Sequence, residues 1–234
     1  MRQLHFILIF LFSVQLTISQ KEVSETNNSS SIVDNLYKED QFYFAVSYNL
    51  LTNMPENMSQ KGFSTGFTLG YIKDIPLNSN RNFGLGIGLG ISTNSYNHNL
   101  KISKSNGFYN YDLVDLEDFT KNKFSTQLVE LPIELRWRTS TPEEYKFWRI
   151  YAGVKLGYIV ASKAKSKGGG ETIKISNLAA IEKLRYGLTL SAGYSTWNVN
   201  LYYGLNPIFD DSVIINGEKT DIRIVKIGLK FYIL

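Results

Sequence analysis

The stretch from Phe124 to Lys165, FSTQLVELPIELRWRTSTPEEYKFWRIYAGVKLGYIVASKAK, decides how the rest of the chain is read. In its first half Val129, Leu131, Ile133, Leu135 and Trp137 share one face of an extended chain, while Glu130, Pro132, Glu134, Arg136 and Arg138 share the other. After the polar segment from Thr139 to Lys146 the alternation resumes. Ile150, Ala152, Val154, Leu156, Tyr158 and Val160 then stand against Arg149, Tyr151, Gly153, Lys155 and Gly157. Each run reaches the ~9 to 11 residues with which a tilted strand crosses a bilayer. The two strands read as a transmembrane hairpin.

Working outward, the same period of two marks six more strands. Upstream, Gln41 to Leu51 places Phe42, Phe44, Val46, Tyr48 and Leu50 on its apolar face, and Lys61 to Ile75 places Phe63, Phe67, Leu69 and Tyr71. From Asn82 to Tyr96, Phe83, Leu85, Ile87, Leu89 and Ile91 alternate with Gly84, Gly86, Gly88 and Gly90. Downstream come Leu184 to Thr196, Asn198 to Pro207 and Asp221 to Leu234. The expected fold is all-β: an eight-stranded antiparallel transmembrane up-and-down β-barrel over residues 41–234.

Connection lengths agree with that layout. Short links near Pro76 to Arg81, Ser140 to Tyr145 and Trp197 alternate with long ones at His98 to Asn122, Ser166 to Lys183 and Phe209 to Thr220, the pattern of short periplasmic turns and longer outer loops. The first outer link, Thr52 to Gln60, is shorter than the others but falls on the expected side.

The start of the chain reads as an export signal. Met1 and Arg2 precede a mostly apolar run from Leu4 to Leu16, and Thr17, Ile18 and Ser19 place small residues before a cut, so residues 1–19 are expected to be a signal peptide. The apolar run is too short for the ~20 residues of a membrane helix. Residues 20–40, rich in Ser, Asn and Glu, have little to bury and are expected to form a flexible periplasmic leader. With strands as the only means of crossing, a closed barrel is required, because lipid leaves no partner for open strand edges. The expected location is the outer membrane, with its lipid as the surrounding partner.

Composition narrows the function classes. The chain has no Cys, which removes a disulfide framework, cysteine-based zinc sites and a lipidated Cys. A net charge of +4 is mild, and the basic residues alternate with aliphatic ones within strands, so no nucleic-acid partner is expected.

Alternation does not by itself say which face looks inward. The apolar face carries Phe, Tyr and Leu too bulky for the interior of eight strands, whereas the opposite face mixes glycines with charges and suits a small lumen. Aromatics near strand ends (Phe42, Tyr71, Phe83, Tyr96, Trp137, Trp148, Tyr158, Tyr186 and Tyr194) read as interface girdles. Glu130, Glu134, Arg136, Lys155, Lys226 and Lys230 are then expected to project into the lumen and pair there, since isolated buried charge is costly. An open diffusion pore is not expected. Lys226, Gly228, Phe231 and Ile233 have the spacing of a signal resembling those read by the barrel assembly machinery, although Leu234 stands where a terminal Phe is usual.

Other motifs carry less. His98, with Ser92 and Ser95 nearby, raises the option of acyl chemistry, but no third group can be assigned and a solvated loop histidine is expected. Asp112, Asp115, Glu117 and Asp118 do not match a calcium loop and read as a solvated acidic loop. Gly168, Gly169 and Gly170 lack phosphate-loop spacing and read as loop flexibility. No catalytic residue, cofactor, metal site or small-molecule substrate is assigned.

The segment Val129-Glu130-Leu131-Pro132-Ile133-Glu134-Leu135-Arg136, then Arg138-Thr139-Ser140-Thr141-Pro142-Glu143, and then Phe147-Trp148-Arg149-Ile150-Tyr151 with Lys155-Leu156-Gly157-Tyr158, resembles the PorT (also SprT) family of outer-membrane barrels. The resemblance implies a non-enzymatic component required for type IX secretion, and in gliding bacteria for motility, with other type IX components as partners. A stand-alone barrel serving adhesion, a small pore or lipid chemistry is the alternative.

Two registers are open to the central hairpin. One, with the turn near Pro142 and Glu143, sets Glu130 opposite Lys155 and Glu134 opposite Tyr151; the other, slid by two residues, sets Arg138 opposite Arg149 and Pro132 opposite Lys155. Charge favours the first. Pro132 cannot donate a ladder hydrogen bond, so an irregularity or bulge is expected beside it.

Overall fold

The computed structural model describes residues 40–233 except 106, 116–118, 140–145 and 169. The expected signal peptide, all of the leader but Asp40, the centre of the Pro142 turn and Leu234 lie outside the described residues. Among the described residues thirteen strands follow one another: β1 (Gln41–Thr52), β2 (Thr65–Pro76), β3 (Phe83–Asn97), β4 (Leu100–Ser105), β5 (Phe108–Leu113), β6 (Phe119–Arg138), β7 (Trp148–Gly168), β8 (Glu171–Ser176), β9 (Leu184–Tyr194), β10 (Trp197–Gly204), β11 (Ile214–Ile215), β12 (Glu218–Lys219) and β13 (Arg223–Ile233). Eight of them form the barrel in the order β6-β3-β2-β1-β13-β10-β9-β7, and the pairing of β6 with β7 closes it. Every neighbouring pair is antiparallel.

Closure is set by which face each strand can leave outside. Leu89, Leu135 and Val129 are 63%, 63% and 44% exposed on the barrel exterior, whereas Glu130, Glu134 and Arg136 are 3%, 1% and 0% exposed inside it. An apolar exterior around a polar interior inverts the pattern of a barrel made for water, and it suits a hydrocarbon surround. At the short-turn end, exterior aromatics touch around the rim: Phe42 with Tyr71 at 5.1 Å, Trp148 with Tyr194 at 5.3 Å and Trp197 with Phe231 at 4.8 Å between ring centroids. Tyr96 is not part of such a girdle. It falls on the inward parity of β3 and stacks on Phe124 at 4.7 Å, 1% exposed.

The long connections hold more structure than loops. Leu100 and Ile102 alternate with polar residues as β4, which pairs with β5; β8 extends the sheet from β7; β11 and β12 make a two-residue ladder. Gly168 and Gly170 accordingly flank the β7–β8 turn, with Gly170 at φ +81°, a conformation that glycine adopts without strain. Strand β2 begins at Thr65, later than Lys61; ahead of it Met58 is buried in the apolar cluster and Ser59 N donates to Asn99 Oδ1 at 2.8 Å.

The hairpin register is the second of the two options. Pro132 lies opposite Lys155, Arg136 opposite Tyr151 and Arg138 opposite Arg149. Glu130 and Glu134 instead face Gly157 and Gly153 on β7, and Gly90 and Gly86 on β3. The preference for Glu130 directly across from Lys155 is therefore corrected: Lys155 stands opposite Pro132 and its side chain reaches Glu130 diagonally. The bulge expected beside Pro132 is not there: on its β3 side the register is the same at Ile87 opposite Ile133 and at Gly90 opposite Glu130, and on its β7 side Pro132 pairs with Lys155. The bulge itself lies farther along, where Gln127 pairs with Ala161 and Leu128 with Ile159, making Val160 the extra residue.

Candidate functional site: the filled lumen and its cap

The lumen is built in layers from side chains on facing strands. Nearest the short-turn end, Asp74 of β2 bridges two arginines of β6, with Oδ1 3.0 Å from Arg136 Nη1 and Oδ2 2.8 Å from Arg138 Nη2. Arg136 also donates to Gln41 Oε1 and lays its guanidinium 4.3 Å from the centre of the Tyr151 ring. Such planar, forked donors suit a shared carboxylate better than an ammonium would. Arg149, opposite Arg138, rests on the Phe147 ring at 4.4 Å.

In the middle layer Lys230 Nζ of β13 lies 2.8 Å from Glu134 Oε1, having crossed the interior from the far wall. Arg136 Nε approaches Glu134 Oε2 at 3.8 Å, and Lys230 stands 4.4 Å from the Tyr43 ring. Gly86 makes the layer possible: a Cβ there would sit 2.8 Å from Arg136 Cδ.

The next layer centres on Glu130. Lys155 Nζ reaches its Oε2 at 3.0 Å, Lys226 Nζ stands 4.0 Å from Oε1, and Ser92 Oγ donates to Oε1 at 2.8 Å. Lys226 donates to Asn94 Oδ1 at 2.8 Å. All six residues singled out from the sequence, Glu130, Glu134, Arg136, Lys155, Lys226 and Lys230, thus share one connected interior. Sequence reasoning missed Asp74, Gln41, Ser92 and Asn94. Parity could have found Asp74, because Phe67, Leu69 and Tyr71 occupy the outward face of β2 and leave Asp74 on the other.

Above Glu130 a cavity of about 20 Å³ lined by Tyr96, Lys155, Arg185, Tyr202, Ile208 and Lys226 separates the ion pairs from an apolar cap. That volume holds about one water. Tyr96, Leu100, Ile102, Phe124, Ile181, Ile208, Phe209, Val213, Ile215 and Ile222 make the cap, drawn from the barrel wall and the long connections alike. Chain that crosses the mouth must bury apolar side chains there, since the wall around it is already apolar at Phe124, Leu128 and Ile159.

His98 is buried in this cap, 1% exposed, and the expectation of a solvated loop histidine is corrected. Its ring packs 5.0 Å from that of Phe124, and its Nδ1 accepts from Leu100 N at 3.1 Å. Ser92 is turned to Glu130, and Ser95 Oγ accepts from Lys123 Nζ at 3.2 Å, so neither serine is bonded to the imidazole. Burial pushes His98 down from 6.5 to about 3 and holds it neutral. An opened cap would take up a proton below about 6.5, whereas the closed cap does so only near 3. Closure is therefore at full strength above about pH 6.5 and weakens as pH falls from there toward 3. Hydrogen exchange of cap amides such as Leu100 should accelerate across that window in the wild type, and His98→Gln should flatten the response.

Among the described residues no group of three or more His, Asp or Glu side chains is disposed to hold a metal ion.

The barrel can be set beside known proteins. A family model described as an outer membrane protein beta-barrel domain matches residues 10–210. No curated protein matches the chain. Among solved structures, Ail, the attachment invasion locus protein of Yersinia pestis, in complex with the heparin analogue sucrose octasulfate, is 14% identical, with 83% of this chain and 97% of that chain covered and a TM-score of 0.40. Ail without that ligand gives 14% identity, the same coverage and a TM-score of 0.37. A mutant of the Rh. blastica porin is 8% identical over 84% of this chain and 100% of that chain, with a TM-score of 0.21. With a closed eight-stranded barrel, an apolar exterior and a family match over most of its length, the chain belongs to the outer membrane protein beta-barrel domain family and resides in the outer membrane.

Proposed function

We propose that this barrel is a non-enzymatic accessory component of type IX protein export that acts through its rims and outer connections and is not the route cargo takes. The observation that supports this reading is the occupied lumen. Ion pairs span it from Asp74 to Lys226, and the cavity above them beneath the cap measures about 20 Å³. The likeness of Val129 to Arg136 and of Phe147 to Tyr158 to the PorT family supports the secretion role, and its partners would then be other components of that machinery. Deletion should abolish release of cargo bearing C-terminal sorting domains, and restoring either the wild type or His98→Ala should return it. Normal cargo release by the deletion strain would contradict the proposal.

A second reading, a stand-alone surface barrel serving adhesion, is favoured by the length of β6 and β7, which run 20 and 21 residues and carry the sheet past its apolar band. A deletion strain with intact secretion but impaired attachment to surfaces would support it.

A further inference from the structure

The outward face of β6, β7 and β8 changes character abruptly. On β7 the outward positions run Ile150, Ala152, Val154, Leu156, Tyr158 and Val160, then Lys163, Lys165 and Lys167; on β6 they run Leu135, Ile133, Leu131 and Val129, then Gln127, Ser125, Lys123 and Lys121. The Val160 bulge restores outward parity to the odd-numbered lysines beyond it, leaving Ser162, Ala164 and Ser166 buried. Lys121 lies opposite Lys167, Lys123 opposite Lys165, and Lys165 opposite Lys174 of β8. Lys183 joins the group beside Ile159, whose N–H donates to the Lys183 carbonyl at 2.9 Å.

Six lysines (Lys121, Lys123, Lys163, Lys165, Lys167 and Lys174) therefore share one sheet face, and the exposed Lys183 borders it at the groove beside Tyr158 and Val160. Like charges directly opposite one another in a sheet repel. Adjacent strands hold them about 5 Å apart, well inside the Debye length of about 8 Å at physiological salt. Glu171 and Glu182 are nearby in the chain, yet among the described residues none of the seven lysines forms an ion pair. Their position identifies a source of counter-charge. Lys163 is within about 10 Å of Val160 along the strand, so the face begins where the apolar band ends, at the level of outer-leaflet headgroups.

We infer that this face is a binding site for the clustered phosphate groups of a phosphorylated glycolipid in the outer leaflet, with Lys163 and Lys183 at headgroup level and Lys123, Lys165 and Lys174 in the next row. The lipid chains lie against the apolar exterior at Val129, Tyr158 and Val160, each of which lines a groove of the barrel wall. The inference is independent of the secretion role.

The test titrates the folded barrel, held in non-ionic micelles, with diphosphorylated lipid A and with its dephosphorylated form, counting bound lipid by native mass spectrometry. The phosphorylated form should bind preferentially, and the preference should collapse as salt rises to roughly 1 M, where the Debye length is about 3 Å. A basic residue near an anionic surface contributes about fivefold, so the triple variant Lys163→Gln, Lys165→Gln, Lys183→Gln should bind roughly a hundredfold more weakly. Lys61→Gln, Lys73→Gln, Lys104→Gln, a control of equal charge change, should bind as the wild type does. Heat-modifiable migration on gels checks that each variant is folded, and the comparison of the two lipids on the wild type stands without any variant. Equal binding of the two lipids, or an unaffected lysine triple variant, would overturn the inference. Lysine-dependent capture of soluble heparin without any preference for phosphorylated lipid would also overturn it and assign the face to an extracellular sulfated polysaccharide.

Discussion

Glu130→Ala will destabilise the barrel by about 3 to 5 kcal/mol, as expected when one partner of a buried ion pair is removed. Glu130 is the carboxylate on which Lys155 and Lys226 converge from β7 and β13, at 3.0 and 4.0 Å. Its loss leaves two ammonium groups facing each other in a lumen that offers little water. Removing Lys155 as well, as Glu130→Ala with Lys155→Met, should recover much of the cost, because Lys226 retains its hydrogen bond to Asn94. Urea unfolding of the barrel in lipid vesicles reads both variants. A double variant no more stable than the single one would show that the pair is not coupled.

Asp74→Ala will produce a loss of similar size, about 3 to 5 kcal/mol, by a different route. One carboxylate serves two arginines there, each wholly buried, and so ties β2 to two points of β6 across the intervening β3. Asp74→Asn preserves the shape and one acceptor oxygen but not the charge, so it should fall between wild type and alanine. The same unfolding experiment applies. Destabilisation below about 1 kcal/mol, the range of exposed ion pairs, would mean that the arginines find compensation elsewhere.

Much of the barrel is legible because a strand with lipid on one side and a packed interior on the other must alternate. Parity alone separates Val129, Leu135 and Ile150 from Glu130, Arg136 and Arg149. Register is harder, since a shift of two residues preserves every face. A rule pairing charges directly across the ladder favours Glu130 with Lys155, but the ion pair forms diagonally, from a lysine opposite Pro132, while the space beside Gly90 is taken by the Tyr43 hydroxyl. In a narrow lumen a long side chain finds its partner by reach as well as by ladder position. The cap was illegible for another reason. Strands of six residues such as β4, β5 and β8 show too few alternations to stand out from their polar surroundings, and the burial of His98 and Tyr96 depends on chain folding back over the mouth.

The interior of this outer-membrane barrel is filled by ion pairs below and an apolar cap above. Electrical conductance of the purified protein in a planar lipid bilayer tests it directly. No stable open-channel steps are expected at neutral pH, with the bilayer indistinguishable from one lacking protein. Sustained, reproducible conductance steps from the folded wild-type barrel would contradict it.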